Sequence, residues 1–551
     1  MKCAVNSLEL LLYYCIWVSV IIITICKYFE AQTEILENNP YLRLSLRDLT
    51  PGWTFLNREK DISDIEWSCW KFYLQTSWFY LIFQFLVSES IRKFKISFIK
   101  NWYILSSIVF ILYYFGAKQL VLILIQPFIF LIIIVCGGKQ TTIWVTSLLL
   151  LLSYNSLKYK YFFWHFLDDG SYQDEKVFLL LFAMAWVELR CISFCSDYVE
   201  RQEKKKPAEK CANDTFEMFL NMFSYVLYLP LLYVGPIMLY EDFEKSFNYK
   251  NEKLWPRLKR FAVDMALFQI YSFLLDLALH YIYFCAMHGD IKLIKQMPSI
   301  ALSGGGLWMG FQFYVKYVIS YGTSAAFARL DNMEPPPTPR CIARIHVYSH
   351  MWRYFDVGLY KFLFKYIYKP GYRTLCKYMN LSEIVYKLIA SFSTFAFIFL
   401  WHGTAMNIFI WSVLNYCGIL LEHTAKYLST TEWYKNFKLK VLKTDAMEVR
   451  FISSLCAPLL AVSAISNFYL FGGTEVGHLY IGLLEWPAPH NLLIVLISTY
   501  CCCQVSMTLL GVTSRTDINK VVFNQLCNSL WNNRISINFS KRLLALMISV
   551  L

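Results

Sequence analysis

Charge is scarce in this chain: Asp, Glu, Lys and Arg together make up 17% of its 551 residues. Soluble proteins carry about 25%. The deficit excludes a disordered protein, which needs charge and few apolar residues, and an ordinary cytosolic enzyme. The 17 cysteines include no Cys-X-X-Cys pair and no Cys/His spacing that suits zinc. Many of them (Cys15, Cys136, Cys285, Cys417, Cys501 to Cys503) lie inside apolar runs, so they do not read as a secreted disulfide framework. Internal repeats and low-complexity tracts are lacking, and the Lys-rich stretch 201–210 reads as a charged loop. No small-residue cleavage site follows the first apolar run, Leu10 to Cys26, which reads as an uncleaved signal anchor.

What is present is apolar and aromatic: 57% of residues are hydrophobic and 18% are Phe, Trp or Tyr. That composition predicts an all-α polytopic transmembrane helical bundle, with aromatics at the interfaces and around a lipid-sized cavity. Candidate spans fall at about 10–26, 72–87, 102–117, 119–136, 141–157, 176–195, 261–287, 302–322, 384–400, 405–422, 452–471 and 491–512. Several are near the lower limit of about 17 residues, so the expectation is about 10–12 membrane segments, re-entrant ones included.

The formal net charge of +13 falls mostly in short loops, which argues against a nucleic-acid partner and for a topological signal. Loop 27–66 carries five Lys/Arg against eight Asp/Glu and reads as luminal. Loop 88–101, with Arg92, Lys93, Lys95 and Lys100, reads as cytosolic. Loop 158–175 is acidic and luminal; loop 196–215 is basic and cytosolic. Segment 216–240 is apolar but contains Pro230, Gly235 and Pro236, and both its flanks are basic. A full crossing would break the alternation, so a re-entrant broken helix buried within protein is expected. Continued alternation makes 323–383 and 423–451 cytosolic and puts the tip between 400 and 405 in the lumen. Both termini are then cytosolic, and the sequons at Asn213, Asn380 and Asn538 face the cytosol, away from glycosylation.

Ionisable groups inside a membrane are costly and face a polar interior. Asp264, Asp276 and His280 share one span, and Lys316 stands in the next. A pair between Lys316 and Asp276 or Asp264 is expected, as a lock between helices rather than a catalytic group. His402 stands in Trp401-His402-Gly403 at the tip of an apolar hairpin. A lone membrane histidine often packs helices, but an imidazole with a pKa near about 6.5 also suits general-base work on an amine, thiol or hydroxyl. Segment 329–373 is the other dense region. Prolines 335 to 337 and 339 exclude helix there, and Trp352 to Tyr368 is amphipathic. That stretch reads either as an interfacial helix with snorkelling basic residues or as the docking point of an anionic amphiphile such as an acyl-CoA.

Asp356 and His402, separated by one apolar span, resemble the residue pair of the membrane-bound O-acyltransferase family. Local words sharpen the likeness: Tyr225-Val-Leu-Tyr-Leu-Pro-Leu-Leu-Tyr-Val-Gly-Pro236-Ile, Glu334-Pro-Pro-Pro-Thr-Pro-Arg-Cys341, Met351-Trp-Arg-Tyr-Phe-Asp-Val-Gly-Leu359, Trp401-His402-Gly403 and Asn467-Phe-Tyr-Leu-Phe-Gly-Gly-Thr-Glu-Val-Gly477. Aspartate at the first position resembles the family branch that acylates Hedgehog-type proteins. The chain departs from the family after Lys369-Pro370, where Gly371-Tyr-Arg-Thr stands in place of Leu-Gly-Gly-Ser.

The resemblance implies three parts: N-terminal membrane helices over 1–215, a catalytic core over 216–480, and a C-terminal helix and tail over 481–551. It implies transfer of palmitate from palmitoyl-CoA to the N-terminal cysteine of a Hedgehog-type secreted signalling protein, in the endoplasmic reticulum or Golgi membrane. His402 would be the general base, and Asp356 would help orient or polarise the thioester end. Trp352 matches a position that lines the acyl-CoA path, and Arg353 and Asn467 are pocket candidates; each of the three reads equally as plain packing. Cys341 matches a haem-ligating position, and reads otherwise as a palmitoylation site or an inert thiol. The alternatives are a family member acting on a lipid or on a serine of a secreted protein, and a non-enzymatic transporter or scaffold.

Overall fold

The computed structural model describes residues 5–38, 48–168, 174–204, 215–248, 252–341, 346–483 and 489–513. The sequons at Asn213 and Asn538 and most of the 481–551 segment lie outside them. The described residues form a helical bundle; two three-residue antiparallel strands, Leu49–Pro51 and Glu59–Asp61, are its described extended pairing. Nine of the described helices are long and apolar enough to cross a membrane.

The first helix, Ser7–Asn38, packs along the Ser299–Leu330 helix. Lipid tails are as apolar as leucine, so membrane helices associate through close packing of small residues. The run Ser303-Gly-Gly-Gly306 provides it: a Cβ on Gly304 would lie 2.0 Å from the Thr24 carbonyl oxygen. Helices Ile65–Phe94, Ile99–Tyr114, Ala117–Val135, Gln140–Tyr159 and Asp174–Lys204 form the N-terminal half around a buried aromatic core. Glu383–His402, Met406–Leu428, Asp445–Gly482 and Pro489–Thr513 follow the central region. Gly473, at φ +80°, kinks the third of these.

The segment expected to be broken is broken. Helix Thr215–Val226 stops, a short 3-10 turn spans Leu229–Leu231, and a new helix runs Tyr240–Asn248. Residues 222–233 are all buried. The carbonyls freed by the break therefore need partners inside the protein. Arg190, itself 2% exposed, donates to Val226 O at 2.9 Å and to Leu231 O. Ser107 Oγ donates to Leu227 O at 2.6 Å, and Tyr225 Oη to Met238 O at 2.6 Å.

Three sequence-based expectations are corrected. The span expected over 261–287 ends earlier: the Leu254–Ala278 helix gives way to a turn whose backbone is bound from elsewhere. Gln32 Nε2 donates to Tyr281 O at 3.0 Å and Gln32 Oε1 accepts the Tyr283 N–H at 2.7 Å, while Arg58 Nε donates to His280 O at 2.9 Å. Lys316 pairs with Asp64 (2.8 Å) and Glu66 (2.9 Å), not with Asp276 or Asp264. Asp276 instead meets Lys60 and Lys71, and Asp264 meets Arg329 at 2.8 Å. Finally, the amphipathic stretch from Trp352 is not one helix. It breaks at Asp356, between helices Tyr348–Phe355 and Val357–Leu363.

Candidate active site

His402 is the last residue of its helix. Gly403 at φ +125°, a conformation L side chains rarely adopt, ends the helix, and the next begins at Met406. The helix end is tied down: Asn155 Nδ2 donates to Leu400 O at 2.9 Å, and Trp401 Nε1 to Ala185 O at 3.2 Å. These bonds satisfy or brace backbone that a helix terminus leaves exposed. The His402 ring meets Trp411 edge-to-face at 5.1 Å between centroids.

The imidazole borders a cavity of about 420 Å³, within the size range of small-molecule sites. Trp186, Tyr321, Glu188, Lys158 and the Lys316–Glu66 pair share its wall. Asp356 is not in that wall but is one hydrogen bond from it. Tyr321 Oη donates to Asp356 Oδ2 at 3.0 Å. The other carboxylate oxygen caps the following helix, accepting the Leu359 N–H at 2.9 Å. Burial pushes the Asp356 carboxyl above the ordinary range, against the Leu359 N–H and the Tyr321 hydroxyl, which favour its charged form. The Asp-Val-Gly word is sterically explained: a Cβ on Gly358 would lie 2.1 Å from Ile237 O, in the broken segment.

Trp352 and Asn467 join the site through Trp411. Trp411 Nε1 donates to Asn467 Oδ1 at 3.2 Å, and the Trp411 ring lies 5.6 Å from that of Trp352. Trp352 Nε1 in turn donates to Asn415 Oδ1 at 3.3 Å. Arg353 is exposed and rests its guanidinium 5.6 Å from the Tyr360 ring centre. Cys341 is 7% exposed and lines neither this cavity nor a second one of about 600 Å³ beside the proline-rich segment. The described residues therefore give no support to a haem at Cys341. In the second cavity, five basic side chains, Arg260 and Arg329 among them, face four carboxylates.

Sequence reasoning missed Glu188, Lys158 and Tyr321. The signal for Glu188 was present, as an acidic residue in the middle of the run Val177 to Cys195.

The sequence model of MBOAT, the membrane-bound O-acyltransferase family, matches residues 130–454, more than half of the chain. The chain belongs to this family. Among curated proteins it is 32% identical to "Protein-cysteine N-palmitoyltransferase Rasp" of Drosophila melanogaster over 333 residues, which is 60% of this chain and 63% of that protein. It is 28% identical to "Protein-cysteine N-palmitoyltransferase HHAT" of Mus musculus over 322 residues, 57% of this chain and 62% of that one. The match thus spans less than two thirds of either relative. The mouse "Protein-cysteine N-palmitoyltransferase HHAT-like protein" matches more fully, at 24% identity over 86% of this chain and 90% of its own length. The site thus stands in a multi-pass membrane bundle of this family.

Proposed function

We propose that this membrane-bound O-acyltransferase is a protein-cysteine N-palmitoyltransferase. It moves palmitate from palmitoyl-CoA to the N-terminal cysteine of a Hedgehog-type secreted protein, in the membrane of the endoplasmic reticulum or Golgi. The observation that carries this reading is the cavity that joins His402 to Asp356 through Tyr321, in a chain whose relatives bear that enzyme name.

The chemistry divides among the residues as follows. The acceptor nitrogen attacks the thioester carbonyl, a C–N bond forms and the C–S bond breaks. His402 takes the proton that the nitrogen loses and returns it to the departing CoA thiolate, so the products are an amide and free CoA. General-base assistance of this kind contributes about 10²–10⁴-fold. Asp356 acts through Tyr321: as acceptor of the Tyr321 O–H it fixes that ring in the cavity wall. A carboxylate cannot itself donate to an oxyanion, so its role is positioning. Trp411 holds one side of the imidazole, with Trp352 and Asn467 behind it. No step passes through a haem at Cys341.

Purified full-length protein with radiolabelled palmitoyl-CoA and an N-terminal Cys peptide tests this. Label transfer that needs a free N-terminus and the cysteine is expected. Equal labelling of an N-acetylated or Ser-initiated peptide would assign the enzyme to another acceptor.

A further inference from the structure

Four polar side chains on neighbouring helices are buried and meet no partner at full hydrogen-bond geometry: both amide atoms of Gln126, Ser147 Oγ, Tyr154 Oη and both carboxylate oxygens of Glu188. Their polar neighbours are one another, Ser147 beside Glu188 and Gln126 beside Tyr154. Buried polar atoms are ordinarily paired, and each that is not needs a reason. Glu188 is fully buried, and Glu188 and Tyr154 both line the His402 cavity. The cavity wall carries a second carboxylate, Glu66, but Lys316 neutralises that one at 2.9 Å. Among the described contacts, no ion pair engages Glu188.

We propose that Glu188 is the binding site for the primary ammonium at the N-terminus of the acceptor, and so selects an amine over a hydroxyl acceptor. The assignment rests on the acyl-transfer reading above. An ammonium carries three N–H donors, and a carboxylate only accepts. A terminal ammonium satisfies both Glu188 oxygens with a third donor left for the Tyr154 hydroxyl; to become the nucleophile it gives one of these protons to Glu188, and His402 takes the next as the C–N bond forms. A serine or lipid hydroxyl supplies one donor and no charge, so it leaves the carboxylate unpaired and desolvated. The same cavity wall carries the base, His402. Glu188 is one helical turn from Ala185, whose carbonyl accepts the indole N–H of Trp401, the residue preceding His402.

The test is binding of one N-terminal Cys peptide, with a free or an acetylated N-terminus, to the full chain. Wild-type protein is expected to prefer the free amine by at least about tenfold, since a hydrogen bond to a charged group is worth about that or more. Glu188→Gln keeps the shape, and Glu188→Leu keeps an apolar fill; both are expected to reduce the preference to less than about threefold, with an unchanged melting temperature. A wild type without the preference, or a Glu188→Gln protein that retains it, overturns the assignment. Palmitoyl transfer is read in parallel. Transfer by wild type with an unaltered KM in Glu188→Gln defeats the Glu188 role alone. Glu188-dependent amine binding without palmitoyl transfer defeats the palmitate reading alone.

Discussion

The Tyr321 hydroxyl donates to Asp356 Oδ2 at 3.0 Å, and the same tyrosine stands in the wall of the cavity that His402 borders. The aspartate thus reaches the reaction space through a single side chain. Tyr321→Phe removes that bond and keeps the ring. A fall in kcat of about tenfold is expected, the worth of one such hydrogen bond, with KM for palmitoyl-CoA nearly unchanged. Steady-state kinetics on the purified variant read the split.

Asp356→Asn separates charge from shape. Asparagine still caps a helix N-terminus, so the fold is expected to survive while transfer falls by about one to two orders of magnitude, the range of a charge-assisted bond. The pH dependence has a definite sign. Burial raises the Asp356 carboxyl above its ordinary value, so its ionised form costs stability at neutral pH. That cost is full above the raised value and is relieved as pH falls towards the ordinary carboxylate range. Melting curves of wild type and Asp356→Asn are expected to differ most at neutral pH, with the variant at least as stable, and to converge in acid.

Arg190→Met tests the broken segment. The guanidinium serves the carbonyls of Val226 and Leu231, and each orphaned buried carbonyl costs about 1–3 kcal/mol. A drop of several degrees in melting temperature is expected, together with a lower yield of folded protein. Thermal unfolding in detergent measures it.

His346 links the residues after the proline-rich segment to the last described helix, its Nδ1 lying 2.9 Å from Ser506 Oγ. Burial, reinforced by His350, pushes its pKa down to about 4. The folded protein therefore holds this ring neutral at pH values where the unfolded chain protonates it. The contribution is undiminished above about 6.5, the ordinary histidine value, and is lost progressively as pH falls from there to about 4. His346→Gln is expected to flatten that part of the stability profile, read as melting temperature against pH.

The hairpin tip was legible in the sequence because Trp401-His402-Gly403 sits between two apolar runs, and Gly403 ends the helix where that pattern puts the turn. Broken helix between residues 216 and 240 was legible from Pro230, Gly235, Pro236 and the basic flanks. The partners of Lys316 were not. Asp64 stands more than 250 positions away, and only the packed bundle brings it to Lys316. The break at Asp356 escaped an amphipathic pattern that runs through it, since a helix cap depends on the Leu359 N–H and on the close approach of Gly358 to Ile237. Glu188 and Arg190 were visible as ionisable residues in an apolar run, but their opposite fates were not. Arg190 is engaged by broken-segment carbonyls, whereas Glu188 lines the cavity with no ion pair among the described contacts.

The central claim is that His402 is the base for acyl transfer to an N-terminal cysteine. Its most direct test is the rate of palmitate transfer from palmitoyl-CoA to an N-terminal Cys peptide by purified His402→Ala protein that melts like wild type. The rate is expected to fall by about 10²–10⁴-fold. Transfer at the wild-type rate by that folded variant would contradict the account.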